Sequence, residues 1–343
     1  MATPKPILPE LPPEIVVFGG SDLMRDIRAK MERIADATVP VLIRGESGTG
    51  KEIIAKLLHL QSARRSGPFV KINCPAIPST LIESELFGYE KGAFTGADGR
   101  KAGLVEVADG GTLFLDEIAE LDFGLQSKLL HLLQDGQFYA IGGKKEKQVE
   151  VRFLCATSRR LEQEIQAGSF RQDLFYRIKV VTLSLPPLRE RSCDIPVLIA
   201  HFLRTYSQQF KRNPQPLSAK TAAALERYWW PGNIRELENL IKSYVILGSE
   251  EAIRRELLVT ENGANGNGNG EGAASNKRPA SLKQAIRDLE SQLIRQALEE
   301  QHWNRRRAAR ALKISYRSLL YRLKQSEGDP KRRLQTSPHA GND

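Results

Sequence analysis

The sequence predicts an α/β protein: a parallel sheet covered by helices, then a helical subdomain, then a small all-α domain. Three observations in its 343 residues carry that prediction. Continuous apolar runs of strand length alternate with helix-like stretches up to residue 185, the texture of strands buried on both faces. Beyond Pro186 and Pro187 the pattern is helical through about residue 258. The tract ENGANGNGNGEGAASN, residues 261–276, has no large apolar group; it cannot offset its chain entropy, and a flexible Gly/Asn linker is expected.

Taken in order, residues 1–14 hold Pro4, Pro6, Pro9, Pro12 and Pro13, which deny the backbone helix and ladder hydrogen bonds, so an extended arm is expected. The α/β part is placed at 15–185. Its strands are expected at VPVLIR (39–44), FVKIN (69–73), TLFLD (112–116), VRFLCAT (151–157) and VVTLSL (180–185). The helical subdomain follows at 186–260 and the linker at 261–276. A small domain is expected at 277–326, where Leu282, Ile286, Leu289, Leu293, Ile294 and Leu298 form a helical stripe, and a disordered tail at 327–343.

Composition narrows the function. No apolar run is long enough to span a bilayer and no basic-then-apolar segment opens the chain, so a cytoplasmic protein without membrane contact is expected. Cys74, Cys155 and Cys193 lack metal-ligand spacing and are expected to be buried reduced thiols. The net charge is +10, and from Asn276 onward 16 Lys and Arg stand against 7 Asp and Glu. Nearly all the excess sits in the last fifth, which suggests a polyanionic partner.

GESGTGKE, residues 45–52, follows an apolar strand and opens onto the helix-like EIIAKLLHL. Gly45, Gly48 and Gly50 let backbone amides crowd phosphate oxygens, and Lys51 reaches the terminal phosphates. Glu46, Ser47, Thr49 and Glu52 complete the candidate loop; Glu52 stands where such loops usually place a hydroxyl on the metal. TLFLDEI then puts Asp116 and Glu117 at the C-terminal end of a buried strand, where ligands of parallel sheets collect. Asp116 suits Mg2+ coordination and Glu117 suits polarising an attacking water.

With these motifs in this order, residues 15 to 330 resemble the AAA+ ATPases that activate bacterial transcription with sigma-54 RNA polymerase, the NtrC-type enhancer-binding proteins. The resemblance implies ATP and Mg2+ as cofactors, with 15–185 as the ATPase subdomain and 186–260 as its lid. It makes GESGTGKE the family's own form of the loop, so Glu52 is no defect. In FRQDLFYRI (170–178) it implies arginine fingers at Arg171 and Arg177, which neutralise charge on the phosphoryl group transferred in a neighbouring subunit. It also implies that Asn73 holds the catalytic Glu and that Arg235 is the sensor II arginine. In WPGNIRELEN (230–239), Asn233 with Glu236 three positions on is expected to cap the helix that aims Arg235. One departure stands out: after LCAT the family usually has Asn, and here Ser158 predicts altered rate or coupling.

GAFTGA, Gly92, Ala93, Phe94, Thr95, Gly96 and Ala97, places small residues around one aromatic, a mobile loop with an exposed apolar tip. The resemblance makes it the sigma-54 contact, with Phe94 and Thr95 at the touching surface. HWNRRRAARALKISYRSLLYRLKQ (302–325) reads as helix, turn, helix. Ser315 is expected to cap the second helix, Tyr316, Arg317, Ser318 and Arg322 to face a major groove, and Arg305, Arg306 and Arg307 to meet phosphates. This segment resembles Fis-type domains, which pair, although Lys313 replaces the common turn Gly. Few residues precede the ATPase part, which predicts activity that is constitutive or set by a separate protein. The whole implies an upstream activator that binds double-stranded DNA, assembles as a homo-oligomer, a hexamer, and remodels sigma-54 RNA polymerase holoenzyme. A DNA-bound repressor using ATP only to set its oligomer would show a degenerate output loop and lost fingers, against GAFTGA, Arg171 and Arg177. A remodelling ATPase for replication or unfolding would not combine GAFTGA with a tethered basic helix-turn-helix.

Overall fold

A computed structural model describes residues 11–251, 253 and 254, which lie in the first of two compact units, Met1–Gly266. The linker, the helix-turn-helix residues from Arg305 to Arg322 and the tail lie outside the described residues.

In chain order the strands are β1 (Val41–Arg44), β2 (Phe69–Asn73), β3 (Gly88–Tyr89), β4 (Lys101–Ala102), β5 (Thr112–Asp116), β6 (Gln137–Tyr139), β7 (Glu146–Gln148), β8 (Arg152–Thr157) and β9 (Val181–Ser184). Five of them form one parallel sheet in the order β2-β5-β8-β1-β9, and each of the five apolar runs supplies one strand. The register aligns the strand ends that matter: Asn73 lies opposite Asp116, and Arg44, just before the glycine-rich loop, lies opposite Thr157. The site residues therefore emerge along one edge of the sheet.

The helices are α1 (Glu14–Phe18), α2 (Asp22–Ile34), α3 (Lys51–Leu60), α4 (Ser79–Phe87), α5 (Leu104–Val107), α6 (Phe123–Asp135), α7 (Leu161–Gln166), α8 (Gln172–Ile178), α9 (Ile195–Phe210), α10 (Ala219–Arg227) and α11 (Asn233–Leu247). Alternation along the strands splits the apolar side chains between two faces. Val41, Ile43, Phe114, Leu154 and Ala156 pack with Met24 and Met31 of α2 and Ile54 and Leu58 of α3. Leu42, Leu113, Leu115, Phe153 and Cys155 pack with Leu125 and Leu129 of α6 and Leu174 and Ile178 of α8. Each fully buried Val, Leu, Ile, Phe or Met side chain among these contributes about 1.5–3 kcal/mol. A third core, around Leu198, Trp230, Leu237 and Ile241, unites α9 and α11. Helix ends follow local chemistry: the Asp122 carboxylate accepts from the Leu125 N–H at the start of α6, and Gly136, at φ +70°, ends it.

Two expectations need correction. Glu14 opens α1 instead of closing an extended arm, since Pro13 can precede a first helical turn, where no backbone donor is needed. Cys74 and Cys155 are buried as expected, but Cys193 is exposed because it lies in the short helical turn Leu188–Asp194, ahead of α9.

Candidate functional site

The loop after β1 turns sharply because Gly48 and Gly50 adopt φ +81° and +100°, conformations that other residues avoid. At Gly48 a side chain would also strike the Gly232 carbonyl, 2.2 Å from where its Cβ would sit. Gly50 hands the chain to α3, whose first residue is Lys51, so the free amides and positive end of the helix face the loop. Lys51 is buried; its Nζ donates to the Gly45 carbonyl at 2.9 Å and the Glu46 carbonyl at 3.3 Å, and lies 3.1 Å from Glu117 Oε1. An ammonium resting on its own loop's carbonyls is placed to be drawn off by phosphate oxygens.

Glu117 sits at φ +55°, a left-handed conformation for a non-glycine residue. Its Oε2 accepts from both the Ser158 backbone N–H and the Ser158 hydroxyl, each at 2.8 Å. Burial pushes this carboxyl up, but the Ser158 N–H, the Lys51 charge and the Ser158 hydroxyl together hold it below the usual range, so it is ionised at neutral pH. Ser158 thus holds the Glu117 carboxylate from two donors. Asn73 is exposed beside Asp116, and among the described residues no hydrogen bond joins it to Glu117.

Asp116 differs. Burial raises its carboxyl against the opposing charge of Lys71, which pairs with it at 3.8 Å. Among the described residues no donor hydrogen-bonds to it. A half-buried carboxylate without a hydrogen bond fits a hard divalent cation, and Mg2+ takes one or two carboxylates and completes its shell with phosphates and water. Glu52 is engaged elsewhere: Lys56 at 2.7 Å and Lys71 at 2.5 Å hold it, and these bonds outweigh burial to keep it ionised. The residues at the loop fit a nucleotide with its metal.

The lid grips the loop through residues that the sequence reading did not single out. Arg189 forks onto the Glu46 carboxylate at 2.9 and 2.6 Å, and buried Arg191 donates to the Thr49 carbonyl at 3.0 Å. Asn233 is not the cap expected of it. It lies at φ +54°, fully buried, accepting from the Leu188 N–H at 2.8 Å and donating to Glu46 at 3.1 Å and to the Ser47 carbonyl at 3.0 Å. Gly232 takes the cap position, and Glu236 accepts from its N–H at 2.7 Å. Arg235 does reach the loop, donating to Ser47 Oγ at 2.9 Å. Asp194 binds the chain ahead of α2, accepting from the Gly20 N–H, the Ser21 N–H and the Ser21 hydroxyl at 2.7, 3.1 and 2.9 Å. Beside the loop, a cavity of about 190 Å³ opens between core and lid, lined by Val16, Val17, Gly50, Leu198, Phe202 and Ile234 among others. The signal for these contacts was the charged pair in PLRERSCD, which reads as surface until the fold folds it back.

Arg171 and Arg177 do not join this cluster. Arg171 directly precedes α8 and Arg177 lies within it, and α8 packs with α6 on the sheet face opposite α3. Arg171 pairs with Asp173 at 2.7 Å and lies over the Phe123 ring, while Arg177 donates to the Leu133 carbonyl at 2.9 Å. The GAFTGA loop projects from α4 and the β3–β4 pair. Its neck is tied by the Glu90 N–H to the Ile141 carbonyl and the Gly92 N–H to the Ala97 carbonyl, at 3.0 and 2.9 Å. Phe94 is 47% exposed, its ring edge-on to Tyr89, and Thr95 is exposed.

Comparison with known proteins adds to this geometry. The sigma-54 interaction domain model matches residues 17–184, the AAA+ ATPase lid domain 189–275, and the Fis-family bacterial regulatory protein model 285–325. The chain is 44% identical over 317 residues to the response regulator protein PilR of Pseudomonas aeruginosa, spanning 92% of this chain and 70% of the relative. It is 46% identical over 241 residues to the DNA-binding transcriptional regulator NtrC of Escherichia coli, spanning 70% of this chain and 51% of that one. The crystal structure of NtrX from Brucella abortus in complex with ATP superposes with a TM-score of 0.66 at 32% identity, over 91% of this chain and 69% of that one.

Proposed function

The chain belongs to the family of sigma-54-dependent bacterial transcription activators and is an AAA+ ATPase, and from that premise we propose the route by which hydrolysis is coupled to polymerase. The observation that carries the reading is the convergence of Lys51, Asp116 and Glu117 at one end of the sheet. Lys51 leaves its loop carbonyls for the terminal phosphates of ATP. The apolar cavity between lid and core takes the adenine ring. Asp116 would hold Mg2+, which would neutralise phosphate charge. Glu117, ionised, draws a proton from a water whose oxygen bonds to the terminal phosphorus as the bond to the leaving diphosphate breaks. Its ties to Lys51 and Ser158 must loosen first, which gives Ser158 an influence on rate.

Arg171 and Arg177, whose side-chain bonds among the described residues include Asp173 and the Leu133 carbonyl but not their own phosphate loop, complete the site of an adjacent subunit in a ring, a hexamer. The GAFTGA loop presses Phe94 and Thr95 on sigma-54 and converts closed promoter complexes to open ones. The helix-turn-helix domain, with Arg305 to Arg307 on phosphates and Tyr316, Arg317, Ser318 and Arg322 toward bases, holds the assembly at an upstream DNA site. Purified protein with ATP is expected to open a sigma-54 promoter and to leave a sigma-70-type promoter closed. Thr95→Ala is expected to lose opening while hydrolysing ATP at the parental rate; undiminished opening by Thr95→Ala defeats this reading.

A further inference from the structure

Glu46 lies in the phosphate loop, yet both its carboxylate oxygens are taken up by side chains of the lid. Arg189 Nη2 donates to Oε1 at 2.6 Å, Arg189 Nη1 to Oε2 at 2.9 Å, and Asn233 Nδ2 to Oε2 at 3.1 Å. A carboxylate engaged by a forked guanidinium and an amide has little left to offer a nucleotide, and an anion there would repel one. These donors come from separate parts of the lid, the turn Leu188–Asp194 and the start of α11. Asn233 joins the two parts as well, by accepting from the Leu188 N–H. The guanidinium of Arg189 is also stacked, 4.6 Å from the centre of the Trp229 ring, and Trp229 is 63% exposed.

We propose that Glu46 is a positioning residue, the clasp through which the phosphate loop sets the position of the lid according to whether Lys51 rests on the loop or on a nucleotide. The path is short. Lys51 Nζ donates to the Glu46 carbonyl, and the Thr49 hydroxyl donates to the same oxygen at 2.8 Å. Drawing the ammonium away changes the peptide unit whose side chain carries the clasp. The lid then shifts with the loop, because the Ile234 N–H is bonded to the Gly48 carbonyl at 3.0 Å and Gly48 has no room against Gly232. Charge and fork geometry are both needed, since a lysine offers a point charge where Arg189 offers two parallel donors. This inference deepens the reading of the loop as the ATP site and rests on it.

The test uses the full chain, ADP as the titrant, and the emission of Trp229 as the lid signal, with Trp229→Phe as the blank. Glu46→Gln is expected to lower kcat about tenfold while the Kd for ADP stays within about threefold, the mark of lost positioning rather than lost binding. The ADP-dependent change in Trp229 emission should disappear with it. Arg189→Lys, which keeps the charge and loses the fork, should show the same split, and the double variant should be no worse than the poorer single one, because both remove one interaction. A Kd that rises in step with the loss of kcat makes Glu46 a nucleotide ligand and overturns the proposal. Unchanged kcat and emission response in Arg189→Lys and Glu46→Gln overturn it too. A parental chain that neither binds ADP nor hydrolyses ATP instead defeats the underlying reading of the site.

Discussion

Two glycine-rich loops among the described residues are held in opposite ways. The phosphate loop, residues 45–52, is surrounded: lid side chains from Arg189, Arg191, Asn233 and Arg235 reach it, and Lys51 is buried among its carbonyls. The GAFTGA loop is tied at its neck and bare at its tip, with no heavy atom within 4 Å of a side chain built at Gly92 or Gly96. Both loops need positive φ, at Gly48 and Gly50 in one and at Gly92 and Gly96 in the other. Glycine therefore serves close approach in the first and freedom in the second. A nucleotide site that must fix its reacting groups is held from many sides, whereas the GAFTGA tip is left with few bonds to break.

That contrast can be broken, beginning with the largest effect. Arg177→Ala is expected to cost about a thousandfold in hydrolysis, the usual scale for a finger delivered across a boundary. Mixing it with Lys51→Ala subunits, each inactive alone, should restore part of the activity in a colorimetric phosphate assay; no recovery would place the finger in its own subunit. Glu117→Gln should lower kcat about 10²–10⁴-fold with ADP affinity retained, as loss of a general base does. Asp194→Ala should destabilise the fold by about 3 kcal/mol in urea denaturation, because three donors lose a buried acceptor. Phe94→Ala, at the free tip, should stay within about 0.5 kcal/mol of the parent. Equal losses for the two would erase the distinction between held and free regions.

The smallest effect is a pH dependence. His59, on the helix that begins with Lys51, is fully buried with Nδ1 2.9 Å from Thr112 Oγ1 on β5. Burial, then the charge of Arg152, lowers its pKa, so the folded protein keeps it neutral. The unfolded chain takes up a proton as pH falls below about 6.5. Stability from this group is therefore complete above that value and is lost as pH falls toward the folded pKa. His59→Gln should flatten the acid side of the stability profile, and the tip of the GAFTGA loop should be indifferent.

What could be read in advance follows the same division between local and distant. The strands were legible because an apolar run buried on both faces has few alternatives, and β2 and β5 occupy the expected spans. The placement of Lys51, Asp116 and Glu117 was legible because a glycine-rich loop and a buried strand set where a helix begins and a strand ends. The lid's hold on the loop was not, since Glu46 and Arg189 are 143 residues apart and nothing local marks the pair. Asn233 looked like a helix cap by composition, but its left-handed backbone turns the side chain inward. Ser158 looked like a shortened sensor; beside Glu117 its small hydroxyl and its own N–H bind one oxygen together.

The placement of the thiols carries a practical consequence. Cys74 and Cys155 are shut inside the sheet, and burial pushes the Cys74 thiol up to about 12 and the Cys155 thiol higher still. Cys193 stands in solvent next to Asp194. A maleimide dye or nitroxide added at mildly alkaline pH would thus attach at a single native position, turning the unaltered polypeptide into its own spectroscopic gauge of opening and closing.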